Sequence, residues 1–149
     1  MDLRDGPPRR WSERIGGIPW LPRLIDKTRA AQAGTLGAYL FGQSPIDREC
    51  LHVFGLGHRA FAEIVAASGN DEDVLTALAA RDPHALERAH AWAERFEKRH
   101  ALFLFVLDVD DGYANGALRA CKPVVNIFAN ALTWTIKRVW PSRALEQTR

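Results

Sequence analysis

A proline-led segment near the start of the chain, residues 16–29, holds the densest mixture of side chains that could do chemistry. A carboxylate beside a lysine or arginine can move a proton and stabilise an anion, or bind a ligand of mixed charge. Two interpretations fit the spacing: a solvated helix face with an ordinary Asp26–Arg29 ion pair, or a polar pocket. The candidate ligand-binding side chains of this segment are Trp20, Arg23, Asp26, Lys27 and Arg29.

His100 is the second candidate for proton transfer. At 100° per residue it falls on the apolar face of a long predicted helix, together with Trp92 and Phe96. A histidine in that position is either a core group with its hydrogen bonds satisfied or a base that lines a pocket. The enzyme hypothesis is a cofactor-free reaction in which Asp26 or His100 is the general acid or base.

An acidic turn at residues 108–112 offers further carboxylates, Asp108 and Asp110. A calcium-binding EF-hand loop that began at Asp108 would need glycine at its sixth position and glutamate at its twelfth. The chain has Tyr113 and Arg119 there, so the calcium motif fails. The turn either ends a helix or adds Asp108 and Asp110 to the pocket.

Other signatures of cofactor and metal chemistry are missing from the sequence. Two Glu-x-x-His units, at Glu87 and at Glu97, lie on one predicted helix and cannot meet around one metal pair. Cys50 and Cys121 are far apart and lack metal-type spacing. Phosphate-binding loops, dinucleotide fingerprints and nucleophile elbows are also absent. We expect neither a metal nor a cofactor.

The elements that must position these residues are helices. Proline or a capping residue begins a helical pattern at Pro22, Ser44, Asn70, Asp82 and Pro123. Residues 101–107 are continuously apolar and fit either a helix extension or a buried strand. The prediction is an all-α, single-domain bundle of six or seven helices over residues 1–149, with residues 1–13 loosely held.

Charge is distributed unevenly along the 149 residues, although the net charge is only +2. Residues 30–111 carry seven basic and thirteen acidic side chains, whereas residues 112–149 carry six basic and one acidic. The basic residues do not alternate with aromatic ones along one face, which argues against nucleic acid as a partner. Two lone cysteines and no signal peptide favour the reducing cytoplasm.

The apolar C-terminal segment, residues 123–140, leaves three interpretations open. It is too short and too polar for a comfortable membrane span, which needs about 20 apolar residues. It could be a buried core helix, the seam of a homodimer, or a helix that lies on a membrane surface. The last two would make the protein an accessory subunit or a peripheral membrane protein.

Several motifs resemble the DUF5069 family, small and mostly bacterial proteins of unknown function. The similar residues are Gly16-Gly17, Leu21 to Arg29, Gly34-Thr35-Leu36, Asp47-Arg48, Val53 to Leu56, Asp71 to Leu75 and Leu107 to Gly112. The resemblance covers residues 14–81 and 107–112 and leaves residues 114–149 as an extension. It implies a compact helical domain, and it implies nothing about activity. Tyr113 replaces the arginine that usually follows the acidic turn.

The best functional hypothesis from the sequence is therefore a module that binds a small molecule or a partner. Its pocket would combine Arg23, Asp26, Lys27, Asp108 and Asp110. That mixture of charges would select a ligand with an anionic part and a cationic or hydroxylated part.

Overall fold

The computed structural model describes residues 2–115 and residues 123, 125, 127, 131, 134, 135 and 138. The elements in chain order are β1 (Arg14–Ile15), β2 (Ile18–Pro19), α1 (Leu21–Gln32), α2 (Pro45–Val53), α3 (His58–Ala67), α4 (Asp71–Arg81) and α5 (Ala85–Asp110). The chain divides into two compact units, residues 1–100 and 101–149. The first unit holds β1 to α4 and the first part of α5.

The prediction of a mostly helical fold is confirmed, but its all-α detail is wrong. Five helices have bounds within the described residues. The predicted count of six or seven includes a last helix over 123–140, which lies mostly outside the described residues. The described residues also form a two-stranded antiparallel hairpin, in which Arg14 pairs with Pro19 and Ile15 with Ile18, so the fold is not all-α. Gly16 and Gly17 both have positive φ, as the tightest two-residue hairpin turn requires. A Cβ on Gly16 would also collide with the side chain of Leu75.

Residues 101–107 belong to α5, which resolves the choice between helix and strand. The helix starts that were predicted at Pro22, Ser44 and Asn70 are also observed. Pro22 lies in the first turn of α1, and Pro45 lies in the first turn of α2 after Ser44. Asn70 forms a capping box with Asp73 at the start of α4. These signals act within one helical turn, so they can be recognised without tertiary information.

The core of the first unit forms around α1. This helix contacts α3 and β1, α3 contacts α2 and α4, and α4 contacts β1. Residues 2–13, which the sequence predicts to be loosely held, contribute buried Leu3 and Trp11. Their backbone is also tied to the core, because the amide of Leu3 donates to Thr35 O and Trp11 O accepts from Trp20.

Much of the second unit lies outside the described residues. In the predicted extension, 114–149, the structure describes residues 114 and 115 and seven positions between 123 and 138. These seven positions are helical, and they are the described part of the predicted hydrophobic helix 123–140. Within the described part of the chain, no helix has both the length and the apolar content needed to cross a bilayer.

Candidate functional site

Helix α1 turns most of its charged side chains inward. Arg23, Asp26 and Lys27 are each at least 97% buried, whereas Arg29 is partly exposed. The neighbouring Leu24 and Ile25 are buried too, because other parts of the first unit surround most of the helix. The solvated-face interpretation therefore does not apply to Arg23, Asp26 and Lys27.

Asp47 of α2 is the centre of what we call the buried ion cluster, formed by Trp20, Lys27 and Asp47. One of its oxygens accepts hydrogen bonds from the Trp20 indole at 2.9 Å and from Lys27 Nζ at 2.5 Å. The other oxygen accepts from the backbone amide of Gly42 at 3.1 Å. Asp47 is fully buried, and Lys27 Nζ also lies 5.2 Å from the centre of the Trp20 ring. The carboxylate is thus held by three donors, two from α1 and the residue directly before it and one from the segment that precedes α2.

Burial changes the proton affinity of the ionisable groups around Asp47. Desolvation lowers the pKa of Lys27, the charge of Asp47 opposes that effect, and the nearby Arg23 adds to it, so the net shift is downward. Desolvation and the Asp47 charge raise the pKa of the Cys50 thiol. A lysine whose charged form is disfavoured in this way is typical of functional sites, although structural ion pairs also produce such shifts.

Arg23 lies beside the buried ion cluster and contacts two aromatic rings. Its guanidinium carbon lies 5.4 Å from the ring centre of Trp20 and 5.6 Å from that of Tyr39. Its Nη1 donates to Arg9 O at 3.2 Å. Contacts of this kind between a cation and aromatic faces contribute more when the cation is desolvated, as Arg23 is.

Asp26 belongs to a second arrangement, the ion chain Asp26–Arg9–Asp71–Arg29. Both carboxylate oxygens of Asp26 accept from Arg9, through the backbone amide, Nε and Nη2. Arg9 Nη1 lies 2.5 Å from one oxygen of Asp71, and Arg29 Nη1 lies 2.7 Å from the other. The ion chain therefore fastens the N-terminal segment and the start of α4 to α1.

The ion chain predicts a stability that falls at acid pH. Desolvation alone would raise the pKa of Asp71, but hydrogen bonds and charge from Arg9 and Arg29 outweigh it and lower this pKa below 3.8. The stabilisation is therefore complete above pH 3.8 and is lost as the pH falls through the folded-state pKa. We expect Asp71→Asn to cost about 1 kcal/mol at neutral pH and to flatten the pH profile.

Urea unfolding from about pH 6 down to about pH 2 measures this effect. The matched control is Asp5→Asn, because Asp5 is exposed and lies outside the ion chain. Equal acid sensitivity of the wild type and Asp71→Asn would contradict the assignment.

His100 lies in a different environment from Asp26. Its Nε2 is 2.9 Å from Glu49 Oε2, and its ring centre is 5.4 Å from that of Phe96. Glu49 is also 3.2 Å from Arg99 Nη1. Among the interactions of the described residues, none joins His100 to Asp26, so the two candidate proton-transfer groups serve separate contacts.

Asp108 and Asp110 lie near the end of α5 in the second unit and are half buried. The carbonyl of Asp108 accepts from the amide of Ala114, which closes the acidic turn. The buried ion cluster and the ion chain are made entirely of first-unit residues.

The histidines of α5 have ordinary partners. His90 Nε2 lies 2.8 Å from Gly16 O at the hairpin turn. In the part of the chain that the structure describes, no group of three or more His, Cys, Asp or Glu side chains is placed to hold a metal ion.

Sequence reasoning missed Asp47, Arg9 and Asp71 as members of these arrangements. Asp47 is recognisable as an acidic residue in the first turn of a helix, a position that is usually solvated. Arg9 lies in a proline-rich, charged segment whose composition predicts a loosely held terminus. The sequence allowed candidate site residues to be selected only where they share one segment. These residues are Trp20, Arg23, Asp26, Lys27 and Arg29.

Comparison with known proteins identifies the family of the chain. No curated protein matches the sequence. A family model described as "Domain of unknown function (DUF5069)" matches residues 5–102, which is well over half of the chain. This match includes α1, Asp47, the ion chain and the part of α5 that bears His100. The chain belongs to the DUF5069 family.

Proposed function

We propose that the first unit is a binding module for a small polar molecule, which reaches the buried ion cluster of Trp20, Lys27 and Asp47. The observation that carries this proposal is the burial of Lys27 against Asp47 in the centre of the unit. Buried ion pairs are seldom better for stability than well-packed apolar side chains of the same size. A site that retains one, with a lowered lysine pKa, is therefore a candidate for ligand recognition.

Access to the cluster would come from the segment between α1 and α2, residues 33–44. Gly42 closes over Asp47 with one backbone hydrogen bond, and the Tyr39 ring covers Arg23. Displacement of this segment would free one Asp47 oxygen and uncover the cations behind it. A ligand group that donates to the freed Asp47 oxygen would replace the Gly42 hydrogen bond and offset part of the cost of this displacement.

The charges of the site indicate the ligand class. Lys27 and Arg23 would face an anionic group, such as a carboxylate or phosphate. Asp47 would accept from an ammonium or hydroxyl group, in place of the Gly42 amide. The ligand would thus carry an anionic part and a cationic or hydroxylated part, within a few ångströms of each other.

A thermal-shift screen against a set of polar metabolites tests the proposal. A ligand at saturating concentration is expected to raise the melting temperature by several degrees. Lys27→Met should abolish the shift, because methionine preserves the volume but removes the ammonium group. The matched control is Arg88→Met, which breaks the exposed Arg88–Asp82 pair and should keep the shift.

Two outcomes would contradict the binding proposal. In the first, no compound of the set changes the melting temperature of the wild type. In the second, a compound stabilises Lys27→Met as much as it stabilises the wild type, so that its site lies elsewhere.

The cofactor-free enzyme is the weaker alternative. Both oxygens of Asp26 accept hydrogen bonds from Arg9, which occupies the positions where a general base would receive a proton from a substrate. Conversion of a hit compound by the wild type, with loss of turnover in Asp26→Asn and His100→Gln, would favour the enzyme over the binding module.

A further inference from the structure

The exposed large apolar side chains of the described residues are concentrated in the second unit. They are Leu102, Phe105, Ile127 and Trp134, and the described part of the first unit exposes none of this kind. Single exposed apolar residues are ordinary. Such residues indicate a contact surface when they share one face.

Two of these side chains share a helix face. Ile127, Ala131, Trp134 and Arg138 are all helical and exposed, at spacings of four, three and four residues. This spacing places them on one side of a helix, which we call the 127–138 face. Val125, which falls off this face, is buried. Ile127 is 69% exposed and Trp134 is 62% exposed.

The charge of this region decides which apolar partner fits. Residues 112–149 carry six basic side chains and one acidic one. Two copies of the chain that met through this face would bring two strongly basic segments together, which is unfavourable. An anionic lipid surface has the opposite charge and offers an apolar layer beneath its headgroups.

The arrangement around Trp134 fits such a surface. The guanidinium carbon of Arg138 lies 5.1 Å from the centre of the Trp134 ring. Tryptophan favours the boundary between headgroups and acyl chains, where its ring is buried and its N–H stays solvated. Arginine can extend its aliphatic stem along the same layer while its charge reaches the lipid phosphates.

We propose that the 127–138 face docks on an anionic membrane surface, with Ile127 and Trp134 inserted at the headgroup boundary and Arg138 against lipid phosphate. Docking of this kind lies in the plane of the interface and needs no spanning helix. It goes beyond ligand binding in the first unit and does not depend on it.

Flotation of the full chain with lipid vesicles tests the proposal. We expect binding to vesicles of equal parts phosphatidylcholine and phosphatidylglycerol, no binding to phosphatidylcholine alone, and release by high salt. The double variant Ile127→Ser/Trp134→Ser should reduce the bound fraction at least about tenfold. Arg138→Glu should reduce it at least about fivefold.

The matched control for charge is Arg81→Glu, since Arg81 is exposed at the end of α4 in the first unit. It should bind vesicles as the wild type does. All substituted side chains are exposed, so circular dichroism is expected to show the same helix content in every variant.

Three results would overturn membrane docking. The first is no flotation with the anionic vesicles, and the second is equal flotation with both kinds of vesicle. The third is a dimer in light scattering that Ile127→Ser/Trp134→Ser converts to a monomer, because the face would then be covered by a second copy of the chain.

Discussion

Asp47→Ala is expected to destabilise the protein by about 3–5 kcal/mol, the cost of leaving a buried charge without its partner. Alanine removes the acceptor of Lys27, of the Trp20 indole and of the Gly42 amide at once. The Trp20 and Lys27 side chains are buried, so water cannot replace the acceptor that they lose without opening the core. Urea unfolding monitored by circular dichroism gives the change in free energy.

A double-mutant cycle separates the charge from the hydrogen bonds. Lys27→Met in the Asp47→Ala background removes the unpaired ammonium group, so the second substitution should recover part of the lost stability. Asp82→Ala is the matched control, since Asp82 forms an exposed pair with Arg88 and its loss should cost much less than the loss of Asp47. Similar costs for Asp47→Ala and Asp82→Ala would show that Asp47 is not the centre of the cluster.

Trp20→Ala is the second substitution with a large expected effect, about 3–5 kcal/mol. The Trp20 side chain is almost completely buried, and its ring centre is 6.0 Å from that of Phe96. Alanine would leave a large cavity and would also remove the indole donor to Asp47. Trp20→Phe keeps much of the volume and should cost less, because Asp47 loses one of its three donors but keeps those from Lys27 and Gly42.

The backbone of Trp20 supplies an internal check on this result. Trp20 has φ of 66°, and it is the only non-glycine residue of the described chain with positive φ. Glycine adopts this conformation without strain, so Trp20→Gly should be no less stable than Trp20→Ala, the reverse of the usual order. A Trp20→Gly variant clearly less stable than Trp20→Ala in the same urea assay would contradict the strained geometry.

The candidate site could be predicted from sequence only where its members are neighbours along the chain. Arg23, Asp26 and Lys27 could be selected because one predicted helix carries all three. Their direction could not be predicted, since α1 has polar and apolar residues around much of its circumference. Arg9 and Asp71 could not be selected, because they reach Asp26 and Arg29 from distant positions in the chain.

The sequence by itself determined where α1, α2 and α4 begin. The reason is local, because Pro22, Pro45 and Asn70 act on backbone groups within one helical turn. The Gly16-Gly17 hairpin could also have been predicted from the sequence, since two adjacent glycines between isoleucines are typical of a tight turn. Only the tertiary structure decided that Lys27 meets Asp47 in the core, and that Arg9 covers both oxygens of Asp26. The physical reason is that the environment of a charged side chain is set by the segments packed against it, and those segments lie elsewhere in the sequence.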